Sequence, residues 1–306
     1  MRITTTVIGS YPYARMTPEV AITRAVDEQI EAGVDIISDG QVRADMVGIF
    51  AQGIPGFDVQ GRKYNVISKI GPAPRAITIG DLSIATAHAG GKAKVKGIIT
   101  GPTTMSHCTI LKEGAPYKPH DMPAGAQSMV VDPALVMDMA AALAQEAKLL
   151  TEAGYDVIQI DEPFFSMADL DLELGIRALG VVTAQIKTSV LHVCGDITKA
   201  MEKLISAPVD ILACEGGHLA RLDWLTPALL AEKKKKICWG VVAVNTNEVE
   251  DVAEISRRIR AGVDKLGADA IQVSPDCGMR VRKPEAAKAK LVNMVAAARE
   301  VERALA

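Results

Sequence analysis

A chain of 306 residues, 49% of them hydrophobic and 23% charged, has enough apolar material for a large core beneath a solvated surface, which excludes a disordered chain. The formal net charge of −3 offers no basic face to a phosphate backbone or an anionic membrane, so a nucleic-acid partner is not expected. No stretch reaches the roughly 18 apolar residues of a membrane span, and the first ten residues lack the pattern of a secretion signal, so no membrane association and a cytoplasmic location are expected.

In chain order, the first apolar, β-branched run covers residues 3–8 and ends in Gly9-Ser10. Glu31-Ala-Gly-Val-Asp-Ile-Ile places a helix-ending glycine directly before a second run, 35–38. Residues 53–91 break the rhythm with glycines, prolines and short alternating stretches such as 75–82, and predict an inserted β-hairpin segment beside the barrel mouth. A third run, 95–100, precedes a loop at 113–128 rich in Pro, Gly and His, which is expected to act as a lid. An amphipathic helix over 133–153 leads through Glu152-Ala-Gly-Tyr-Asp-Val-Ile, a second helix–strand joint, into 157–160. Runs at 189–193, 210–213, 237–242 and 270–274 follow. Helices are predicted at 249–266 and 284–305, and the charged run 232–236 reads as a solvated helix end.

Short buried strands alternating with helices are the pattern of parallel βα units. Eight such strands favour a closed (β/α)8 TIM barrel over an open doubly wound sheet, and the length suits one such domain over 1–306.

In a barrel of this kind the chemistry lies where strands end. Here the ends of strands five, six and eight are rich in sulfur and polar groups: His192-Val-Cys194-Gly, Cys214-Glu215-Gly and Pro275-Asp-Cys277-Gly. A His-x-Cys spacing has the period of a strand, so both side chains point to one face and can share an ion. The five cysteines are odd in number and widely spaced, which argues against a disulfide framework. Any one of these residues alone reads as a small buried core group. Together, at three strand ends, His192, Cys194, Glu215 and Cys277 read as ligands of a tetrahedral Zn2+ rather than of an oxygen-loving cation. Cys214 competes with Glu215, because neighbours on a strand face opposite sides, and spacing alone leaves that choice open.

The ordered set Thr6-Val-Ile-Gly-Ser-Tyr-Pro, Asp39-Gly-Gln with Asp45-Met-Val, Lys96-Gly-Ile-Ile-Thr-Gly-Pro, Ile158-Gln-Ile-Asp-Glu-Pro, His192-Val-Cys, Asp210-Ile-Leu-Ala-Cys-Glu and Pro275-Asp-Cys-Gly-Met-Arg resembles the cobalamin-independent methionine synthases, in the short form that has only the catalytic barrel. The resemblance runs nearly end to end. It implies zinc held by His192, Cys194, Glu215 and Cys277, with Cys214 left to packing. It implies that Ile8, Gly9 and Ser10, with Asp161, hold the amino-acid end of homocysteine through donors to its carboxylate and a carboxylate to its ammonium. For Asp161 a helix cap and for Ser10 a turn are the simpler structural alternatives.

The chain departs from the family pattern at three positions. Gln41 stands where a Glu helps neutralise the substrate ammonium. Cys108 stands where the folate-using members carry a Trp on the pterin, and Asn245 where they carry a His proposed as proton donor. The resemblance therefore implies methyl transfer to the homocysteine thiol from methylcobalamin or a methylated corrinoid protein rather than from folate. Two thiolates, a carboxylate and an imidazole around Zn2+ would sum to −1 and keep a bound sulfur electron-rich. Asp196 and Asp276, beside two of the ligands, read more simply as solvated loop carboxylates than as orienting groups. Two other readings are a zinc alkyltransferase acting on another thiol such as coenzyme M, which Gln41 motivates, and a non-catalytic zinc- or thiol-binding barrel.

Overall fold

The computed structural model describes residues 2–13, 15–118, 131–167 and 169–306. Its strands are β1 (Thr4–Thr5), β2 (Ile36–Ile37), β3 (Phe57–Gln60), β4 (Lys63–Val66), β5 (Lys94–Val95), β6 (Gly97–Thr100), β7 (Ile110–Leu111), β8 (Val157–Asp161), β9 (Thr188–His192), β10 (Ile211–Glu215), β11 (Lys236–Val242) and β12 (Ile271–Pro275). From β6 through β8, β9, β10, β11 and β12 to β1, every neighbouring pair is parallel. Thr6 bridges Ile36, β2 pairs with β5 in parallel, and β5 runs through Lys96 into β6. The parallel ring thus closes on itself with eight strand positions in chain order, a TIM barrel.

Helices form where the chain supplies their ends. Proline opens the helices Pro18–Ala32, Pro102–His107, Pro133–Glu152, Pro227–Lys233 and Pro284–Leu305, where its missing N–H has no partner to lose. The side chains of Asp45, Asp132, Asp171, Thr226 and Asp251 accept from first-turn amides of their helices. Among the described residues, no helix is long and apolar enough to cross a membrane.

The expected hairpin is β3 paired antiparallel with β4, and β7 adds to β4 in parallel. The alternating stretch 75–82 is not a strand. It enters the helix Ile79–Ala89, which packs on Pro18–Ala32 in the outer layer. The reason is tertiary: Leu82, Ala85 and Ala89 form a buried face only at helical spacing, and the helix packs against Pro18–Ala32. The loop at 113–128 is described as far as Lys118; its remainder lies outside the described residues.

The core has two parts. The larger fills the space between strands and helices; the smaller, inside the barrel, is Ile8, Val157, Val190, Ile211, Ala213 and Cys238. Alternation along the strands changes the inner face from apolar to polar toward the strand ends. Val157 is followed two and four residues on by Gln159 and Asp161, Val190 by His192, and Ile211 and Ala213 by Glu215. The apolar plug therefore supports a polar mouth.

Candidate metal centre and thiol site

His192 ends β9, and Val193 continues its pairing through an N–H bond of 3.1 Å to the Ala213 carbonyl, so the chain stays extended as far as Cys194. That brings His192 Nε2 to 3.0 Å from Cys194 Sγ. Cys277, in the turn after β12, completes the group, its Sγ 2.9 Å from that of Cys194. Both cysteines are unlinked thiols. The ligand atoms of His192, Cys194 and Cys277 all lie within 4.8 Å of one another, and among the described residues they are the group capable of holding a metal ion. His192 Nδ1 lies 3.1 Å from the Ala213 carbonyl, an acceptor, so the ring hydrogen belongs there and the Nε2 lone pair faces the sulfurs.

The two thiols cannot both ionise cheaply at this distance. The hydrogen bond from Cys194 is the largest influence on Cys277 and, with His192, pulls its thiol down to about 4 despite burial. The same bond, with burial, pushes Cys194 far above the ordinary thiol range. Burial opposes a charge on His192, but its bond to Cys277 and the nearby negative groups prevail and raise it. Two thiols this close disfavour a second negative charge, and a soft dication is the group that lets both be thiolates.

Glu215, at the end of β10, does not join these three. Its Oε1 accepts from Gly195 N–H at 2.9 Å, and its Oε2 lies 3.2 Å from His218 Nε2. The competition with Cys214 is resolved by orientation: Cys214 is buried in the layer between barrel and helices, and burial pushes its thiol up to about 12. Asp196 is exposed, accepting from Thr198, whereas Asp276 is half-buried and is pushed up to about 7 by burial and by Glu215.

Asp161 ends β8 directly across the ladder from His192. It is buried, and burial pushes its carboxyl up to about 6 although His192 and Lys96 draw it down. Its Oδ1 accepts from Gln159 Nε2 at 2.6 Å, and the same amide group donates to the Ile8 carbonyl at 2.8 Å. Gln159 Oε1 in turn accepts from Lys96 Nζ at 2.5 Å, and Lys96 also donates to the Val7 carbonyl. Burial lowers Lys96 to about 8. One lysine and one glutamine thus tie the 7–8 backbone to Asp161.

Gly9 lies so close to Ile98 that a Cβ would overlap its methyl group, and the same Cβ position is 3.1 Å from Gln41 Oε1. A Cβ on Gly278 would overlap the Ser10 hydroxyl, while Met279 N–H donates to the Ser10 carbonyl at 2.8 Å. The segment Ile8, Gly9 and Ser10 is therefore held against the turn that carries Cys277. Gln41 is buried with φ 45°, its carbonyl accepts from Arg280, and its side-chain Nε2 has no partner. Cys108 follows the short helix Pro102–His107, and Asn245 is exposed in the loop after β11.

The residues expected from sequence thus fall around one mouth. Lys96, Gln159, Arg280 and His218 had not been assigned roles. A signal existed for the first two, since each is a polar residue inside an apolar strand run; His218 lies in the four-residue helix Gly216–Leu219 and Arg280 in a turn, both too short for periodicity to carry information.

The pattern described as the catalytic domain of cobalamin-independent synthases matches residues 14–300. A methionine synthase of Methanothermobacter marburgensis is 40% identical, over 97% of this chain and 99% of its own. One from Methanocaldococcus jannaschii is 32% identical over 97% and 99%. Among solved structures, a B12-independent methionine synthase from Shewanella sp. W3-18-1, in complex with selenomethionine, aligns with a TM-score of 0.80, covering 100% of this chain and 99% of that one. At 23% identity that likeness is one of fold.

Proposed function

The chain belongs to the cobalamin-independent methionine synthase family, and from that premise we propose that it methylates the thiol of homocysteine at a zinc site formed by His192, Cys194 and Cys277, with Glu215 turning in as a fourth ligand when the metal binds. The observation that carries this reading is the convergence of one imidazole and two thiols from the ends of β9 and β12. Their chemistry fits zinc: nitrogen and sulfur donors, two thiol sulfurs 2.9 Å apart, and an imidazole whose free nitrogen is already set by the Ala213 carbonyl. A zinc ion there supplies the charge that keeps an incoming thiol deprotonated near neutral pH.

The remaining roles belong to the chain itself. Asp161, beside His192, is placed to accept the ammonium of the substrate. The Ile8, Gly9 and Ser10 segment offers backbone and hydroxyl donors to its carboxylate. Gln159 and Lys96 hold both of these in position. Gln41 contributes an unpartnered amide nitrogen beside Gly9.

For the methyl donor we propose methylcobalamin or a methylated corrinoid protein. A cobalamin leaving group departs without a proton, whereas a folate nitrogen needs one. Asn245 cannot serve as an acid, and Cys108 offers no aromatic face for a pterin.

The test is to incubate zinc-loaded protein with homocysteine and methylcobalamin under anaerobic conditions, with methyl-tetrahydrofolate in parallel, while following methionine and the methylcobalamin spectrum. Methionine from methylcobalamin, absent in Cys277→Ala, is the expected result. Methionine from the folate alone would overturn the donor assignment. Turnover of a thiol without an amino group, such as coenzyme M, with none of homocysteine would favour the second reading, for which Gln41 in place of a carboxylate is the specific motive.

A further inference from the structure

Lys96 and Gln159 are buried inside the barrel, where the apolar plug gives way to the mouth. Gln159 stands between Val157 and Asp161 on the inward face of β8, and Lys96 stands between β5 and β6. Both oxygens that Lys96 contacts, on Gln159 and on Val7, are neutral. A buried cation with neutral acceptors stabilises a core less than an apolar side chain of its size, so the plug alone does not account for the pair.

The direction of every bond in this chain of contacts is fixed. An ammonium can only donate, so Gln159 Oε1 is the acceptor of Lys96 and the amide nitrogen faces the other way. A backbone carbonyl can only accept, and the Ile8 carbonyl, 2.8 Å from Gln159 Nε2, requires the same orientation. One hydrogen of that nitrogen goes to Ile8 and the other to Asp161 Oδ1 at 2.6 Å. Lys96 also donates to the Val7 carbonyl, so the first, third and fourth strand positions of the barrel are joined.

Asp161 and the Ile8, Gly9 and Ser10 segment are the groups assigned above to the ammonium and the carboxylate of the substrate. Both hang from one nitrogen atom. We propose that Lys96 and Gln159 are positioning residues that form a specificity clamp for α-amino-acid thiols: they fix the separation of the two subsites at the value that an ammonium and a carboxylate on a single carbon can fill together. The inference rests on that assignment of the amino-acid end. A thiol with only one of the two groups can shift toward the subsite it uses and gains nothing from the fixed separation. A thiol with both gains from subsites set in place before it arrives.

Four thiols of one chain length test this by calorimetric titration, in the presence of stoichiometric zinc and without a methyl donor. They are homocysteine, mercaptobutyrate, which lacks the amino group, mercaptopropylamine, which lacks the carboxylate, and propanethiol, which lacks both. Coupling is the factor by which the amino group improves Kd when the carboxylate is present, divided by that factor when it is absent. The parent is expected to show coupling of roughly tenfold, and Lys96→Met and Gln159→Met to lose most of it through weaker binding of homocysteine, with the two single-group thiols changed by less than about twofold. The double variant removes both partners of the Lys96 to Gln159 bond and is expected to lose no more coupling than either single one. If one single variant does not fold, the other and the double variant decide.

Coupling retained in the folded variants overturns the clamp while leaving the assignment of the amino-acid end intact. Weakening of all four thiols by one common factor also overturns it, since that is a general loss of structure. A parent that binds homocysteine no better than either single-group thiol removes the amino-acid assignment itself, and the clamp with it.

Discussion

Gln41 combines a left-handed backbone, φ 45°, with a buried side-chain amide nitrogen that has no partner. A non-glycine residue in that region is sparsely populated and persists only where its surroundings impose it, here through the Asp39 side chain, which accepts from its N–H, and Arg280, which donates to its carbonyl. A donor left without an acceptor is poorly suited to greeting an ammonium. Gln41→Glu is therefore expected to lower KM for homocysteine by roughly tenfold while leaving thiols without an amino group no better bound, as steady-state kinetics on the two substrates would show. Asp161→Asn is expected to raise KM for homocysteine by at least roughly tenfold with zinc content unchanged, a separation read by metal analysis alongside kinetics. Loss of zinc in Asp161→Asn would mean that the carboxylate supports His192 rather than the substrate.

At the scale of elements, Asp35 sits before β2 and binds three parts of the fold: the Thr5 amide and hydroxyl on β1, Arg299 on the last helix, and Arg2. Burial alone would raise its carboxyl, but these donors outweigh it and hold it below the ordinary carboxylate range. A lowered folded value means that the stabilisation is present above the unfolded value, about 3.9, and is lost as pH falls through the folded one. Asp35→Asn is expected to cost about 1–3 kcal/mol at neutral pH, measured by urea unfolding. The difference from the parent should shrink as the medium is acidified below pH 4. A penalty that did not change with pH would assign the role of Asp35 to packing.

For the molecule as a whole, a metal at the mouth would join the end of the fifth strand position to that of the eighth and so cross-link parts of the barrel far apart in sequence. A ligand that binds only the folded chain stabilises it by mass action, about 2.7 kcal/mol at a hundredfold excess over its Kd. Zinc is expected to raise Tm of the parent by several degrees, and a chelator to reverse it, while Cys277→Ala responds to neither. An equal rise in Cys277→Ala, followed by calorimetry, would place the stabilising ion at some other site.

How much of this was legible beforehand depends on whether the information is local. The alternation of Val157, Gln159 and Asp161, and of Val190 and His192, is periodic, so the barrel, its inner face and the His192/Cys194 pair could be read from spacing. The stretch 75–82 misled because a short alternating run fits a strand as well as a helix entry, and packing against Pro18–Ala32 decided for the helix. The sequence by itself determined the succession of strands and helices, the strand ends that carry the chemistry, and the residue types able to hold a metal. Only the tertiary structure brought Cys277 to Cys194, turned Cys214 into the core, engaged Glu215 with Gly195 and His218, and left the Gln41 side-chain amide nitrogen without a partner. The physical reason is that direction along a strand is repeated every two residues, whereas distances between strand ends and the partners of turn residues exist only once the barrel has closed.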